Sequence, residues 1–281
     1  MTSAPGFPRR PFLWLVLAGL GLSACHREAA APKPAKAPGA AEPPAAGARI
    51  AVAAAADLKF ALDEVIEEFR KSHPSTQVET TYGSSGNFFA QLSNKAPFDL
   101  YLSADMAYPR KLIEAGQAVK ESEFPYAVGQ IVIWVRNESS LDVQKGMDLL
   151  KDPAVKKIAI ANPQHAPYGR AAEAALKHYG VYDDVKGRLV LGENIAQTAQ
   201  FVDSGGADVG IIALSLALAP AMAEKGAFWP VPLEAYPPLE QGGVILNWAR
   251  DRAATEELRA FLMGEEGRTI LKRYGFILPE H

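Results

Sequence analysis

Short apolar runs alternate with amphipathic segments along the chain from residue 49 onward. Residues 49–54 form an apolar run that predicts a buried β-strand. The next segment repeats its apolar residues at the spacing of one helix face and predicts a helix over residues 58–71: Leu58, Leu62, Val65, Ile66 and Phe69. Pro74 ends this helix, because the residue before a proline avoids the helical conformation.

The same alternation continues to the C-terminus. Further strands are predicted at residues 77–82, 99–103, 131–136, 158–161, 189–191, 209–213 and 244–248. Further helices are predicted at residues 88–94, 109–115, 170–179, 196–202, 253–264 and 266–274. This alternation favours an α/β fold with open, mainly parallel sheets, whose ligands bind beyond the carboxyl ends of the strands.

The first 48 residues have a different pattern. Arg9 and Arg10 precede an apolar segment over residues 12–22, which is too short to span a bilayer and is typical of a signal peptide over residues 1–24. The segment ends in Leu-Ser-Ala-Cys, which resembles a bacterial lipobox and predicts lipid attachment at Cys25; a plain secretory signal is the alternative. The remaining residues, 25–48, are rich in Ala and Pro and predict a tether.

The composition and net charge of the chain limit its size class and exclude some classes of partner. The 281 residues, 48% of them hydrophobic, suffice for one large or two ordinary domains. The formal charge of −3 becomes −5 once the two arginines of the signal segment are removed, and the basic residues are dispersed, which argues against a nucleic-acid partner. Cys25 is the single cysteine and has no disulfide partner within the chain.

A glycine- and serine-rich motif, Gly83-Ser84-Ser85-Gly86-Asn87, precedes one of the predicted helices. Free backbone N–H groups and serine hydroxyls at a helix start form an anion site, and here no lysine or arginine is included. The alternative is a structural serine turn. The motif is not the nucleophile elbow of hydrolases, because asparagine stands where that motif needs its second glycine.

Other polar residues lack an arrangement that indicates catalysis or metal binding. His73, His165 and His178 do not have the spacing of a metal site and are expected in loops or on the surface. Asp99 and Asp105 flank a predicted strand and are expected to act as turn and cap residues. No Ser–His pair at a recognisable spacing and no cofactor motif is present, so the chain is predicted not to be an enzyme and to need no cofactor.

A set of motifs, in order, resembles the periplasmic molybdate-binding proteins of ABC transporters, which have the type II solute-binding fold. The matching motifs, over about residues 49–281, are Ala53-Ala54-Ala55-Ala56-Asp57-Leu58, Gly83-Ser84-Ser85-Gly86-Asn87, Ala96-Pro97-Phe98-Asp99, Leu102-Ser103-Ala104-Asp105, Ala161-Asn162-Pro163-Gln164-His165-Ala166-Pro167-Tyr168-Gly169, Gly192-Glu193-Asn194, Ala207-Asp208-Val209-Gly210-Ile211 and Lys272-Arg273-Tyr274-Gly275-Phe276. The resemblance implies two lobes, residues 49–128 with 236–281 and residues 129–235, that close like a hinge on one tetrahedral oxyanion, molybdate or tungstate.

The resemblance also implies partners and location. It implies a monomeric receptor in the periplasm or at the cell surface, held by its lipid anchor, that delivers its ligand to the permease and ATPase subunits of an importer. A receptor that serves a membrane kinase is a further alternative with the same anion site.

Four positions are implied as ligand contacts by the resemblance. Ser85 matches a hydroxyl and N–H donor, while Tyr168 and Ile195 match backbone N–H donors. Asp57 stands in the first contact loop, where serine or another neutral donor is common. Ala213 stands where some members place a tyrosine hydroxyl on the ligand, and the phenol of Tyr168 is a candidate replacement. Molybdenum is expected only as an oxyanion, without direct metal ligands from the protein.

Asp57 conflicts with a simple anion site. An ionised carboxylate about 4 Å from a dianion costs about 8 kcal/mol at an effective dielectric near 20, whereas each charge-assisted hydrogen bond contributes about 1.5–3 kcal/mol. Three interpretations stay open. Asp57 turns away and caps the following helix; it is protonated; or the ligand is a different, phosphate-like oxyanion whose proton Asp57 accepts.

Overall fold

A computed structural model describes residues 47–279 of the protein. The predicted signal peptide, the proposed lipid site at Cys25 and most of the predicted tether lie outside the described residues. Within residues 47–279, no helix is long and apolar enough to cross a membrane.

The strands form two five-stranded sheets. Across the described residues they are β1 (Arg49–Ala55), β2 (Gln77–Gly83), β3 (Leu100–Ser103), β4 (Phe124–Gly129), β5 (Ile131–Arg136), β6 (Ile158–Ala161), β7 (Leu189–Gly192), β8 (Val209–Ala213), β9 (Gly226–Pro230) and β10 (Leu239–Ile245). The first sheet has the order β2-β1-β3-β10-β4 and the second has the order β7-β6-β8-β5-β9. The chain therefore builds most of the first sheet, then the second, and returns to the first with β10.

Helices cover the sheets and connect their strands. They are α1 (Lys59–Ser72), α2 (Ser85–Ser93), α3 (Ala107–Glu114), α4 (Pro167–His178), α5 (Tyr182–Val185), α6 (Ile195–Asp203), α7 (Leu214–Ala217), α8 (Pro220–Ala223), α9 (Arg252–Met263) and α10 (Glu265–Arg273). A 3₁₀ turn, Ala56–Leu58, joins β1 to α1. The apolar stripe predicted for α1 is buried as expected, from Leu62 to Phe69.

The α/β class is confirmed, but the sheets are mixed rather than mainly parallel. β1 runs parallel to β2 and β3, whereas β10 runs antiparallel to β3 and β4. The second sheet repeats this pattern, with β6 parallel to β7 and β8, and β5 antiparallel to β8 and β9. Strand–helix alternation predicts direction only for strands joined by a crossover helix. β4, β5 and β10 connect the two sheets, so alternation does not determine their direction.

Several helices begin close to the carboxyl ends of parallel strands. α2 follows β2, α4 follows β6 through a short loop, and α6 follows β7. α4 begins three residues earlier than predicted, because Pro167 occupies its first turn, where a proline needs no N–H partner. Ala55, Ala56 and Ala104 beside the first sheet share one buried apolar cluster with residues of the second sheet. The start of α2, beside the first sheet, therefore meets the starts of α4 and α6, beside the second, where the two sheets approach each other.

Candidate functional site

Ser85 is held in a defined orientation at the start of α2. It is 1% exposed, its Oγ accepts a hydrogen bond of 2.9 Å from the N–H of Ala104, and its carbonyl accepts one of 2.7 Å from the phenol of Tyr101. Because Oγ accepts from Ala104, the hydroxyl hydrogen is available to donate to a ligand. The backbone N–H of Ser85 lies in the first turn of the helix, where it has no acceptor within the helix.

Tyr168 and Ile195 occupy equivalent places on the side of the second sheet. Tyr168 lies in the first turn of α4 and Ile195 is the first residue of α6, so their N–H groups also lack an acceptor within their own helices. Both residues are buried. Asn194 caps α6, since its side chain accepts a hydrogen bond of 3.0 Å from the N–H of Gln197.

Hydrogen bonds bring the start of α2 against the loops that precede α4 and α6. The N–H of Gly86 donates to the carbonyl of His165 at 2.9 Å, and Oγ of Ser84 lies 3.0 Å from Nδ1 of His165. The side chain of Asn87 donates to Glu193. A Cβ at Gly86 would lie 2.6 Å from the carbonyl oxygen of His165, so this close approach requires glycine. Three helix starts with unpaired N–H groups therefore converge.

The structure places Asp57 in a buried polar cluster with Tyr168 and Gln241. Its Oδ2 accepts hydrogen bonds of 2.9 Å from the phenol of Tyr168 and 2.7 Å from Nε2 of Gln241. The same Nε2 lies 3.0 Å from the phenolic oxygen. On the backbone, the carbonyl of Asp57 accepts a bond of 2.8 Å from the hydroxyl of Ser215. Asp57 thus contacts the side of the first sheet through Gln241 and the side of the second sheet through Tyr168 and Ser215.

The interpretation of Asp57 as a helix cap is wrong. Asp57 lies inside the 3₁₀ turn, and neither that turn nor α1 has a side-chain cap at its start. Its carboxylate is instead held by donors from α4 and β10, which are distant in sequence. Asp57 precedes the first residue of α1, Lys59, by two positions, and its carboxylate makes no bond to that helix start.

The electrostatics of Asp57 follow from its burial. Burial raises the pKa of Asp57 from 3.8 to about 6, and the hydrogen bonds from Gln241 and Tyr168 limit the rise. Its second oxygen, Oδ1, is buried and has no hydrogen-bond partner among the described residues. Burial also raises the pKa of the Tyr168 phenol, and the nearby carboxylate adds to this rise, so the phenol stays a donor at neutral pH.

Three residues of this region were not predicted from the sequence. Gln241 is fully buried in β10, within a stretch that carried no predicted strand, although a glutamine before two glycines and an apolar run was an available signal. Gly129, at the end of β4, leaves room for the cluster, since a Cβ there would clash with the phenolic oxygen of Tyr168. Ser215 follows β8, and no sequence pattern indicated that its hydroxyl contacts Asp57.

The structure also bears on the expectations for Ala213 and His165. Ala213 ends β8 and is buried. The phenol of Tyr168, the candidate replacement for the tyrosine hydroxyl that position 213 lacks, donates its hydrogen bond to Asp57. His165 lies in a loop as expected, but it is not a free surface residue, because it contacts Ser84 across 81 residues of sequence. This Ser–His contact was missed because sequence spacing does not reveal it.

Asp99 and Asp105 both have structural roles, but only Asp105 forms the turn-type contact that was predicted; Asp99 binds segments distant in sequence. Asp99 accepts hydrogen bonds from the N–H of Ala51 and from the backbone and side chain of Arg250. Asp105 accepts from the N–H of Ala107 at the start of α3 and from the guanidinium of Arg170. Within residues 47–279, no three acidic, histidine or cysteine side chains are grouped to hold a metal ion.

Comparison with known proteins identifies the family of this chain. The model of the bacterial extracellular solute-binding protein family matches residues 50–277. The chain belongs to this family. The resemblance inferred from the ordered motifs is therefore confirmed at the family level, and the family is one of binding proteins, in agreement with the prediction of a receptor rather than an enzyme.

Individual members of the family cover nearly all of the described chain. The chain is 35% identical over 262 residues to the molybdate-binding protein ModA of Azotobacter vinelandii, covering 93% of this chain and 96% of that protein. It is 37% identical over 234 residues to ModA of Rhodobacter capsulatus, covering 83% and 90%. The solved structure of the Azotobacter vinelandii periplasmic molybdate-binding protein matches with a TM-score of 0.77 and 32% identity, over 82% of this chain and all of that chain (100%).

Proposed function

We propose that this protein is the receptor of an ABC importer for a tetrahedral oxyanion, molybdate or tungstate. The observation that carries the proposal is the convergence of the oriented Ser85 hydroxyl with the unpaired N–H groups of Tyr168 and Ile195. The proposal is further supported by relatives named as molybdate-binding proteins that are 35% and 37% identical to this chain.

The donors of the proposed site are neutral. The residues at the three helix starts, from 83 to 88, 163 to 169 and 192 to 196, include no lysine or arginine. Helix dipoles and N–H groups attract an anion locally, which suits a chain with a negative net charge. Molybdate and tungstate are nearly the same size, whereas sulfate is smaller and would leave some donors short of an acceptor. Selectivity is therefore expected to follow the size of the site.

The two sheets are the proposed cores of two lobes, residues 49–128 with 236–281 and residues 129–235. Ligand contacts come from both sides, with Ser85 beside the first sheet and Tyr168 and Ile195 beside the second. Closure of the lobes about the connecting segments would enclose the anion. The hydrogen bond between Tyr168 and Asp57 already joins the two sides beside the proposed site.

A second candidate ligand is a proton-carrying oxyanion such as phosphate. The observation that favours it is the buried Oδ1 of Asp57, which has no partner among the described residues and accepts readily when ionised. Such a ligand would donate its proton to Asp57. With molybdate, by contrast, Asp57 itself has to be protonated for the anion to bind without repulsion.

The proposed cellular setting rests on the N-terminal sequence and on the family. Cleavage before Cys25 and lipid attachment would hold the receptor at the outer face of a membrane, in the periplasm or at the cell surface. There, as a monomer, it would deliver its ligand to permease and ATPase subunits. Replacement of Cys25 by serine is expected to release the protein into the soluble fraction, whereas retention in membranes would contradict the anchor.

Calorimetry on residues 26–281 tests the proposed ligand. Molybdate, tungstate, sulfate and phosphate are titrated separately at pH 6 and pH 8. One-to-one binding of molybdate and tungstate, with much weaker sulfate and phosphate binding, is the expected result. Binding of phosphate alone would support the second candidate, and binding of none of the four anions would contradict both.

A further inference from the structure

A group of polar side chains joins the two sides of the molecule beside the proposed anion site. We call Ser84, Asn87, His165 and Glu193 the α2 clasp. Oγ of Ser84 lies 3.0 Å from Nδ1 of His165, Nε2 of His165 lies 3.7 Å from a carboxylate oxygen of Glu193, and Asn87 donates to the other oxygen of Glu193. The clasp thus links α2, beside the first sheet, to two loops of the second.

The clasp lies at the edge of the site rather than within it. Ser84 is buried, the side chain of His165 is 18% exposed, and that of Glu193 is 60% exposed. The four side chains therefore extend from the buried helix start to the solvent. The clasp side chains make their hydrogen bonds to one another. Ser85, which follows Ser84 in the chain, is not part of the clasp, because its hydroxyl oxygen accepts the N–H of Ala104.

His165 is the central residue of the clasp. Its ring contacts Ser84 on one side and Glu193 on the other, and its carbonyl accepts the N–H of Gly86. Any movement that separates α2 from the loop before α4 has to break these contacts together. The bond from Gly86 involves only backbone atoms and survives substitution, so a change of the His165 side chain isolates the side-chain part of the clasp.

We propose that the α2 clasp stabilises the closed arrangement of the two sides, and that His165 is the positioning residue that sets how slowly a bound anion is released. The claim that the clasp stabilises the closed arrangement can be tested without a ligand, whereas the claim about the release rate rests on the proposed function. A ligand that is enclosed leaves only when the sides separate, so a weaker clasp raises the dissociation rate and leaves association nearly unchanged.

Stopped-flow kinetics with molybdate tests the release rate. His165→Ala is expected to increase the dissociation rate at least about tenfold and to change the association rate by less than about twofold. His165→Asn retains an amide group close to the position of Nδ1 and is expected to restore most of the slow release. His178→Ala, which removes a histidine of α4 outside the clasp, is the matched control. An unchanged dissociation rate in His165→Ala would overturn the proposal.

A distance measurement tests the closed arrangement independently of any anion. Spin labels are placed at the exposed positions Glu121 and Asp183, one on each side of the site, in a Cys25→Ser background, and the distance distribution is measured by pulsed electron paramagnetic resonance. In the ligand-free protein, His165→Ala is expected to shift the distribution to longer distances, and His178→Ala is not. Identical distributions would overturn the clasp, even if molybdate proves not to be the ligand.

Discussion

The phenol of Tyr168 donates a 2.9 Å hydrogen bond to the carboxylate of Asp57, a residue 111 positions earlier in the chain. Gln241 donates to the same carboxylate oxygen, so both side-chain donors to this buried acid are neutral. Among residues 47–279, no opposite charge compensates the ionised form, and burial raises its pKa to about 6. Protonation of Asp57 is therefore expected to affect stability and, if the proposed anion site is correct, anion binding as well.

The first prediction concerns stability and pH. The native pKa of Asp57 is about 6 and the ordinary value is 3.8, so between these pH values the native state binds more protons than the unfolded state. The contribution of Asp57 to stability therefore falls as the pH rises through this window, by about 3 kcal/mol, and stays constant above it. Urea unfolding at pH 4, 5, 6 and 7 is expected to show this loss in the wild type relative to Asp57→Asn. Parallel pH profiles of the two proteins would contradict it.

The second prediction concerns the pH dependence of anion binding. If Asp57 has to be protonated when molybdate binds, the affinity of the wild type falls between pH 6 and pH 8 by up to roughly 50-fold. Asp57→Asn carries no charge and is expected to bind molybdate at pH 8 at least as tightly as the wild type does at pH 6. Calorimetry at the two pH values provides both comparisons.

The same variant separates the two candidate ligands. The asparagine side chain of Asp57→Asn would be neutral toward molybdate, but the variant would lack the carboxylate that accepts a proton from a phosphate-like ligand. Tighter molybdate binding in Asp57→Asn therefore supports the first candidate, and loss of phosphate binding supports the second. Asp183→Asn, which removes an exposed carboxylate of α5, is the control and is expected to change neither affinity.

The third prediction concerns Gln241. Its hydrogen bond lowers the pKa of Asp57, so Gln241→Leu is expected to raise that pKa above 6. The upper end of the pH window in which stability falls should move to higher pH by the same amount. Carbon NMR of the aspartate carboxyl groups measures the pKa directly. Gln200→Leu, at an exposed position of α6, serves as the control, and a lower Asp57 pKa in Gln241→Leu would refute the assigned role.

The fourth prediction concerns Ser85. Ser85→Ala removes the hydroxyl that we propose donates to the anion, and the expected loss of molybdate affinity is about 1–3 kcal/mol. Ser93→Ala is the matched control, because Ser93 ends the same helix and its hydroxyl bonds only to the carbonyl of Phe89. Calorimetry of both variants distinguishes a ligand contact from a general effect on α2. Equal affinities for Ser85→Ala and the wild type would remove Ser85 from the site.

The fifth prediction concerns Asp99, which holds the first sheet to the segment before α9. Its carboxylate is 1% exposed and accepts bonds from Ala51 and Arg250. Asp99→Asn replaces an acceptor with a donor that faces these N–H groups, and the free energy of unfolding is expected to fall by about 3 kcal/mol. Urea unfolding measures the change, with the exposed Asp148→Asn as the control. A loss no larger than that of the control would contradict the role.

The order of most strands and helices could be predicted from the sequence, because these elements depend on local periodicity. The stripe of α1 and the apolar runs of β5, β6 and β8 were predicted with the observed bounds or within one residue. β4 and β9 were missed, since each contains a proline that weakens the strand signal. Ser85 was identified as a candidate from a local glycine–serine motif, so its position at a helix start was readable as well.

The polar contacts around the site were decided by tertiary structure. Asp57 meets Gln241 across 184 residues, and Ser84 meets His165 across 81. A local pattern carries no information about such distant partners, which is why a helix cap was the simplest interpretation of Asp57. The strand order of the first sheet, with β10 two places from β1, brings Gln241 to Asp57, and the approach of the two sheets brings His165 to Ser84 and Tyr168 to Asp57. The same packing removes Asp57 from water. That burial, rather than any feature of the aspartate itself, gives Asp57 its raised pKa.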